Sequence, residues 1–160
     1  MTLRPVEAAD AELVFRIFAS TREPELALSG LAPEQVEALL RIQFGAQDLQ
    51  YRATHPTAED SVILVDGRPA GRLRVACDGD AILLLDIALL PEHRGRGTGT
   101  ALIRGLQERA LTAGLPLRLH VARTNPATSL YLRLGFRSEG GDDVYQAMAW
   151  TGVRVAGAAG

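Results

Sequence analysis

The chain contains no lysine: its seventeen Lys-plus-Arg positions are all arginine. A Walker-type phosphate loop requires its Lys, so classical P-loop NTPase chemistry is excluded, and Schiff-base chemistry with it. Cysteine is nearly absent too. The single Cys77 excludes an internal disulfide and any Cys-rich zinc site. Long apolar runs are missing: the longest, 81–90, is broken by Asp86 and has about half the length of a membrane span. A basic excess is also lacking. Seventeen arginines against nineteen acidic residues leave a formal net charge of −2, which argues against a dedicated nucleic-acid binder. The opening residues Met1-Thr2-Leu3-Arg4-Pro5 lack the charged head and apolar core of a signal peptide. The expectation is a cytoplasmic protein with no membrane partner. Abundant Ala, Arg and Gly without Lys points to a GC-rich bacterial genome.

What is present fits one domain of ordinary size followed by a short tail. The 160 residues are 47% hydrophobic and 22% charged, the balance of a globular chain and not of a disordered one. Residues 2–6 read as a short strand. Asp10 is placed to cap a helix whose Leu13, Val14, Ile17 and Phe18 share one face. Pro24, Ser29, Gly30 and Pro33 break the chain, and Pro33 opens a second helix with Val36, Leu39, Leu40 and Phe44 along one side. That helix extends as far as Tyr51, and a loop follows through Pro56. Strands at 62–65, 70–77 and 81–90 are joined by Asp66-Gly67 and Asp78-Gly79, both read as tight hairpin turns. The third strand is apolar on both faces and belongs in the centre of the sheet.

A Gly-rich turn then opens a helix over 98–113, with Leu102, Ile103, Leu106 and Ala110 as its buried stripe and Gly114 and Pro116 as its stop. The strand 117–122 is reached by a strand–helix–strand crossover and should run parallel to 81–90. Asn125-Pro126 caps a short helix to Leu134. A last hairpin, 136–139 with 143–150, turns around Gly140-Gly141, and 151–160 is a loosely ordered tail. The fold class is α+β: a single domain with a mixed, mostly antiparallel sheet and about four helices.

Chemistry concentrates in Arg94-Gly95-Arg96-Gly97-Thr98-Gly99-Thr100, between a buried strand and a helix. Glycines there let backbone N–H groups converge, and the helix N-terminus adds partial positive charge, which together make an anion site suited to phosphates. Three other readings compete. A dinucleotide fingerprint fails on spacing, because Thr100 stands where its third glycine is required. An Arg-Gly RNA-binding segment would be longer and repeated. A flexible turn with solvated arginines is the third.

Arg94-x-x-Gly97-x-Gly99 resembles the Arg/Gln-x-x-Gly-x-Gly/Ala signature of the GNAT superfamily of acetyl-CoA-dependent N-acetyltransferases. Asn125 through Leu130-Tyr131-Leu132-Arg133-Leu134-Gly135-Phe136 resembles that superfamily's second block. The element order resembles the superfamily's own over nearly the whole chain. The resemblance implies an acyl-CoA N-acyltransferase fold over 1–150, with parallel central strands that splay apart. It implies acetyl-CoA as co-substrate, no metal, and direct attack by a primary amine of a small molecule or peptide in a ternary complex. The pyrophosphate would rest on Gly95, Arg96, Gly97, Thr98, Gly99 and Thr100 behind Arg94. The pantetheine arm would pair with Ile87, Ala88 and Leu89, the Leu89 N–H also facing the developing oxyanion. Tyr131 would donate a proton to the departing thiolate. Asn125 would cap its helix, contact the cofactor, or both.

An attacking amine must also lose a proton. Asp86, a charge within an apolar strand, and His120, on the neighbouring strand, are the candidate bases, against a salt-bridged Asp86 and a core histidine. In the superfamily the acceptor lies against the first two helices, their loop and the last hairpin, which here offer Arg22, Glu23, Glu25, Tyr51, Glu139, Asp142, Asp143 and Tyr145. A homodimer is compatible with the sequence. The rival functions are a non-catalytic acyl-CoA-binding or sensing module and, from the Arg-Gly turn, an RNA binder.

Overall fold

The computed structural model describes residues 1–152. Its strands are β1 (Thr2–Pro5), β2 (Glu59–Val65), β3 (Arg68–Cys77), β4 (Ile82–Leu89), β5 (Leu117–Ala122), β6 (Arg137–Gly141) and β7 (Tyr145–Trp150). The helices are α1 (Ala11–Leu26), α2 (Pro33–Thr54), α3 (Thr98–Ala113) and α4 (Ala127–Arg133). One mixed sheet runs β1-β2-β3-β4-β5-β7-β6, with β4 in the middle, as its two apolar faces require. The β4–β5 pair is parallel and the β1–β2, β5–β7 and β6–β7 pairs are antiparallel. The residues group into two compact units, Met1–Arg74 with Asp86–Gly95, and Val75–Leu85 with Arg96 onward.

In the first unit α1 and α2 are joined by an aromatic core. Phe15, Phe18, Ala19 and Leu40 are buried, and Phe44 stacks edge-on against Phe15 at 5.6 Å. Arg16, Arg41, Glu12 and Glu37 lace the exposed seam of the two helices. Helix α1 does not stop at Pro24, contrary to the sequence expectation, but continues to Leu26. Nor does Asp10 cap α1. Its carboxylate accepts hydrogen bonds from the Arg4 guanidinium and from the Glu7 N–H, which hold its pKa down at about 2.

The Asp66-Gly67 turn has positive φ at both residues, 52° and 76°, and is the tight hairpin expected. Asp78-Gly79 is not a second copy of it. There the Asp78 carboxylate accepts the N–H groups of Asp80 and Ala81, making a longer side-chain-built loop. The last hairpin also turns later than expected. Gly140 and Gly141 lie within β6 beside a register shift, and Asp142 builds the turn by accepting the N–H groups of Val144 and Tyr145.

In the second unit, α3 ends at Gly114 in the left-handed region, φ 69°. Gln107, buried, donates to the Leu134 carbonyl and ties α3 to the end of α4. The expected tail starts at Thr151. Gly152 is buried, its Cα facing Leu111 and Trp150, and residues 153–160 lie outside the described residues.

Gly71 in β3 is where one strand needs glycine for space and not for φ. A Cβ there would sit 2.1 Å from the Ala88 carbonyl oxygen of β4. Gly71→Ala should therefore force the strands apart and destabilise the protein by roughly 1–3 kcal/mol, the usual cost of overpacking. Urea unfolding checks it: the midpoint should fall with the slope unchanged, and an unshifted midpoint would contradict the close approach.

Candidate active site

The Gly-rich segment follows β4 through a turn of 3-10 helix at Pro91–His93. Gly95 and Gly97 both take left-handed φ, 72° and 80°, and Gly97 is the residue from which α3 starts. These two conformations aim successive N–H groups outward instead of into a ladder. Among the described residues, none of the six N–H groups from Gly95 to Thr100 donates to a protein acceptor. No acidic residue stands in the first turn of α3 to occupy them. Gly99 adds a spatial argument. It lies inside the helix with no conformational need for glycine, and a Cβ there would meet nothing within 4 Å. Glycine at such a position costs stability relative to alanine. Free donors and space for close approach fit a pyrophosphate.

Arg94, the first residue of the motif, is engaged within the protein. Its Nε donates to the Leu89 carbonyl at 2.9 Å, and its Nη2 reaches the Ser20 carbonyl and hydroxyl at 3.4 and 3.3 Å. The Leu90 N–H donates to the Ala70 carbonyl at 2.8 Å. The parallel register of β4 with β5 covers Ile82–Leu84 against Leu117–Leu119, and β4 continues beyond it through Ile87, Ala88 and Leu89.

Asp86 lies on that continuation, half-buried, in the first unit. Burial pushes its carboxyl above the usual 3.8, against the pull of Arg74 and Arg72. These two arginines alternate on β3 and are buried, 3% and 5% exposed. Arg72 donates to Asp60 at 2.7 and 2.9 Å and to Asp48 at 3.2 Å, and Arg74 donates to Asp48. Arg74 also stacks over Tyr51 at 4.7 Å, and its Nε is buried without a hydrogen-bond partner, 3.8 Å from Asp60. Sequence reasoning missed this cluster. Its signal was present as Arg72-Leu73-Arg74, two like charges on one face of a strand that is otherwise apolar from Ala70 to Cys77.

The remaining candidates divide between the units. In the first, Arg22 lies over Phe18 at 5.1 Å, and Glu23 and Glu25 are exposed. In the second, Tyr131 is buried on α4 with its ring edge-on to Phe136 at 5.6 Å. Asn125 does cap: its side-chain oxygen accepts the Ala127 N–H at 2.9 Å. His120 projects from the exposed face of β5, so it is not a core histidine, and Arg118 on the same face pairs with Glu139 at 3.1 Å. Asp142 is spent on its turn, while Asp143 and Tyr145 are exposed. No cluster of potential metal ligands occurs among the described residues, and no helix there is long and apolar enough to cross a membrane.

The seven-strand mixed sheet, with the glycine loop joining β4 to α3, has counterparts among known proteins. Residues 58–138 match the family described as Acetyltransferase (GNAT) domain. The match spans half of the chain, and the chain belongs to this family of acetyltransferases. No curated protein matched. Among solved structures, the PaiA N-acetyltransferase of Thermoplasma acidophilum in complex with coenzyme A has a TM-score of 0.70 at 18% identity, covering 94% of this chain and 98% of that one. An acetyltransferase of Thermus thermophilus has a TM-score of 0.62 at 26% identity, covering 94% and 97%. The ribosomal-protein-S18-alanine N-acetyltransferase of Escherichia coli has a TM-score of 0.60 at 21% identity, covering 92% and 91%.

Proposed function

We propose that this protein transfers an acetyl group from acetyl-CoA to a primary amine, by direct attack within a ternary complex. The observation that carries the reading is the run of six unpaired N–H groups from Gly95 to Thr100, with open space at Gly99. These groups bind the cofactor's pyrophosphate, and acetyl-CoA supplies the activated acyl group as its thioester. Ile87, Ala88 and Leu89 hold the pantetheine arm as an added strand, and the Leu89 N–H stabilises the oxyanion. Asp86 takes the proton of the attacking amine, favoured over His120 by its half-buried position and raised pKa. A raised carboxyl is a better base once ionised, since its conjugate acid is weaker. Tyr131 returns a proton to the CoA sulfur. A phenol with pKa near ~10 stays protonated at neutral pH until negative charge develops beside it. No metal takes part.

Gly99→Ala tests the cofactor site. The variant should be as stable as wild type or more so, by up to about 1 kcal/mol, because alanine favours the helix. Its acetyl-CoA affinity should nevertheless fall at least about tenfold, or ~1.4 kcal/mol. Calorimetric titration reads the affinity, and wild-type binding with no thiol released in an amine screen would favour the non-catalytic reading. Unchanged affinity contradicts the site.

Tyr131→Phe should lower kcat by about 10²-fold or more while leaving acetyl-CoA affinity intact, since the lost interaction forms in the transition state. Wild-type turnover in an amine screen detecting released thiol would reduce Tyr131 to packing.

The base has its own signature. The acidic limb of the rate–pH profile should fall above the ordinary carboxylate value of 3.8, because burial raises the pKa that must be exceeded for Asp86 to be ionised. That limb should vanish in Asp86→Asn and persist in His120→Gln. The reverse pattern transfers the role to His120.

A further inference from the structure

Pro24 lies inside α1 and has no N–H to donate to the carbonyl four residues earlier, that of Ser20. An interior proline ordinarily leaves that carbonyl unsatisfied and kinks or ends the helix. Here the Arg94 guanidinium supplies the missing donor, with Nη2 3.4 Å from the Ser20 carbonyl and 3.3 Å from its hydroxyl. The same side chain donates from Nε to the Leu89 carbonyl at 2.9 Å. The peptide joining Leu89 to Leu90 is thereby held at both ends, its carbonyl by Arg94 and its N–H by Ala70, 2.8 Å away. A planar fork with donors in fixed directions can bridge two carbonyls in this way, and a single ammonium cannot hold the same two directions at once.

We propose that Arg94 is a positioning residue. It takes the carbonyl that Pro24 frees on α1 and uses that anchor to fix the end of β4. On this account the motif's arginine acts through the backbone of Leu89 and Leu90, and not through contact with phosphate. The consequence for transfer rests on the reading that β4 receives the thioester, whereas the clasp itself does not.

Arg94→Lys and Arg94→Gln separate the two roles. Lysine keeps the charge that a phosphate contact needs and loses the fork. In the ligand-free protein, amide hydrogen exchange at Leu90 should accelerate about tenfold in both variants, as its peptide loses one of its two holds. In turnover, both variants should lose the same factor with acetyl-CoA and with S-acetylpantetheine, which carries no pyrophosphate. Unchanged Leu90 exchange in folded Arg94→Gln overturns the clasp. A loss confined to acetyl-CoA, restored by lysine, overturns the positioning role in favour of phosphate contact. Should wild type transfer no acetyl group, the functional reading fails, and Leu90 exchange still decides the clasp.

Discussion

The close approach of β4 to β3 at Gly71 is the constraint on which the site depends. A strand end can offer its edge to a ligand only if something else holds it in place. On the β3 side that hold is contact at the Ala88 carbonyl, available because Gly71 has no side chain there, followed by the Leu90–Ala70 hydrogen bond. Beyond Leu89 the chain turns immediately through Pro91–His93 into the two left-handed glycines that aim the loop N–H groups. Any slack in β4 would pass directly into that loop.

The charges of the first unit follow from the same economy. Two buried arginines on β3 are costly unless paired, and Asp48 and Asp60 pair them. Asp86 adds a third carboxylate to the neighbourhood of these cations. Its own burial outweighs their attraction, so its carboxyl rises where a paired aspartate would fall. Asp86 is thereby left outside the salt bridges that pair the two arginines.

Much of this was legible in the residues. The two-faced apolarity of 81–90 placed β4 centrally, Asp66-Gly67 specified its turn, and the spacing of the glycines marked the loop. Local patterns misled where a side chain took a partner that the pattern does not register. Pro24 reads as a stop, but Arg94, far later in the sequence, takes the carbonyl it frees. Asp10 reads as a helix cap, but Arg4 and the Glu7 N–H claim its carboxylate. Gly140-Gly141 reads as a turn, but Asp142 builds a better one next to it. The arginine cluster escaped for a related reason: a strand pattern registers hydrophobic alternation, and buried charges stand in it as exceptions whose partners, on α2 and β2, no local window contains.

The most direct measurement is an acetyl-CoA titration followed by the backbone amide resonances of the protein. The account predicts saturable shifts concentrated at the N–H groups of Gly95 through Thr100 and along Ile87–Leu89, with one affinity fitting all of them. Saturable shifts that leave the loop amides unmoved, or no shifts at all, would contradict it.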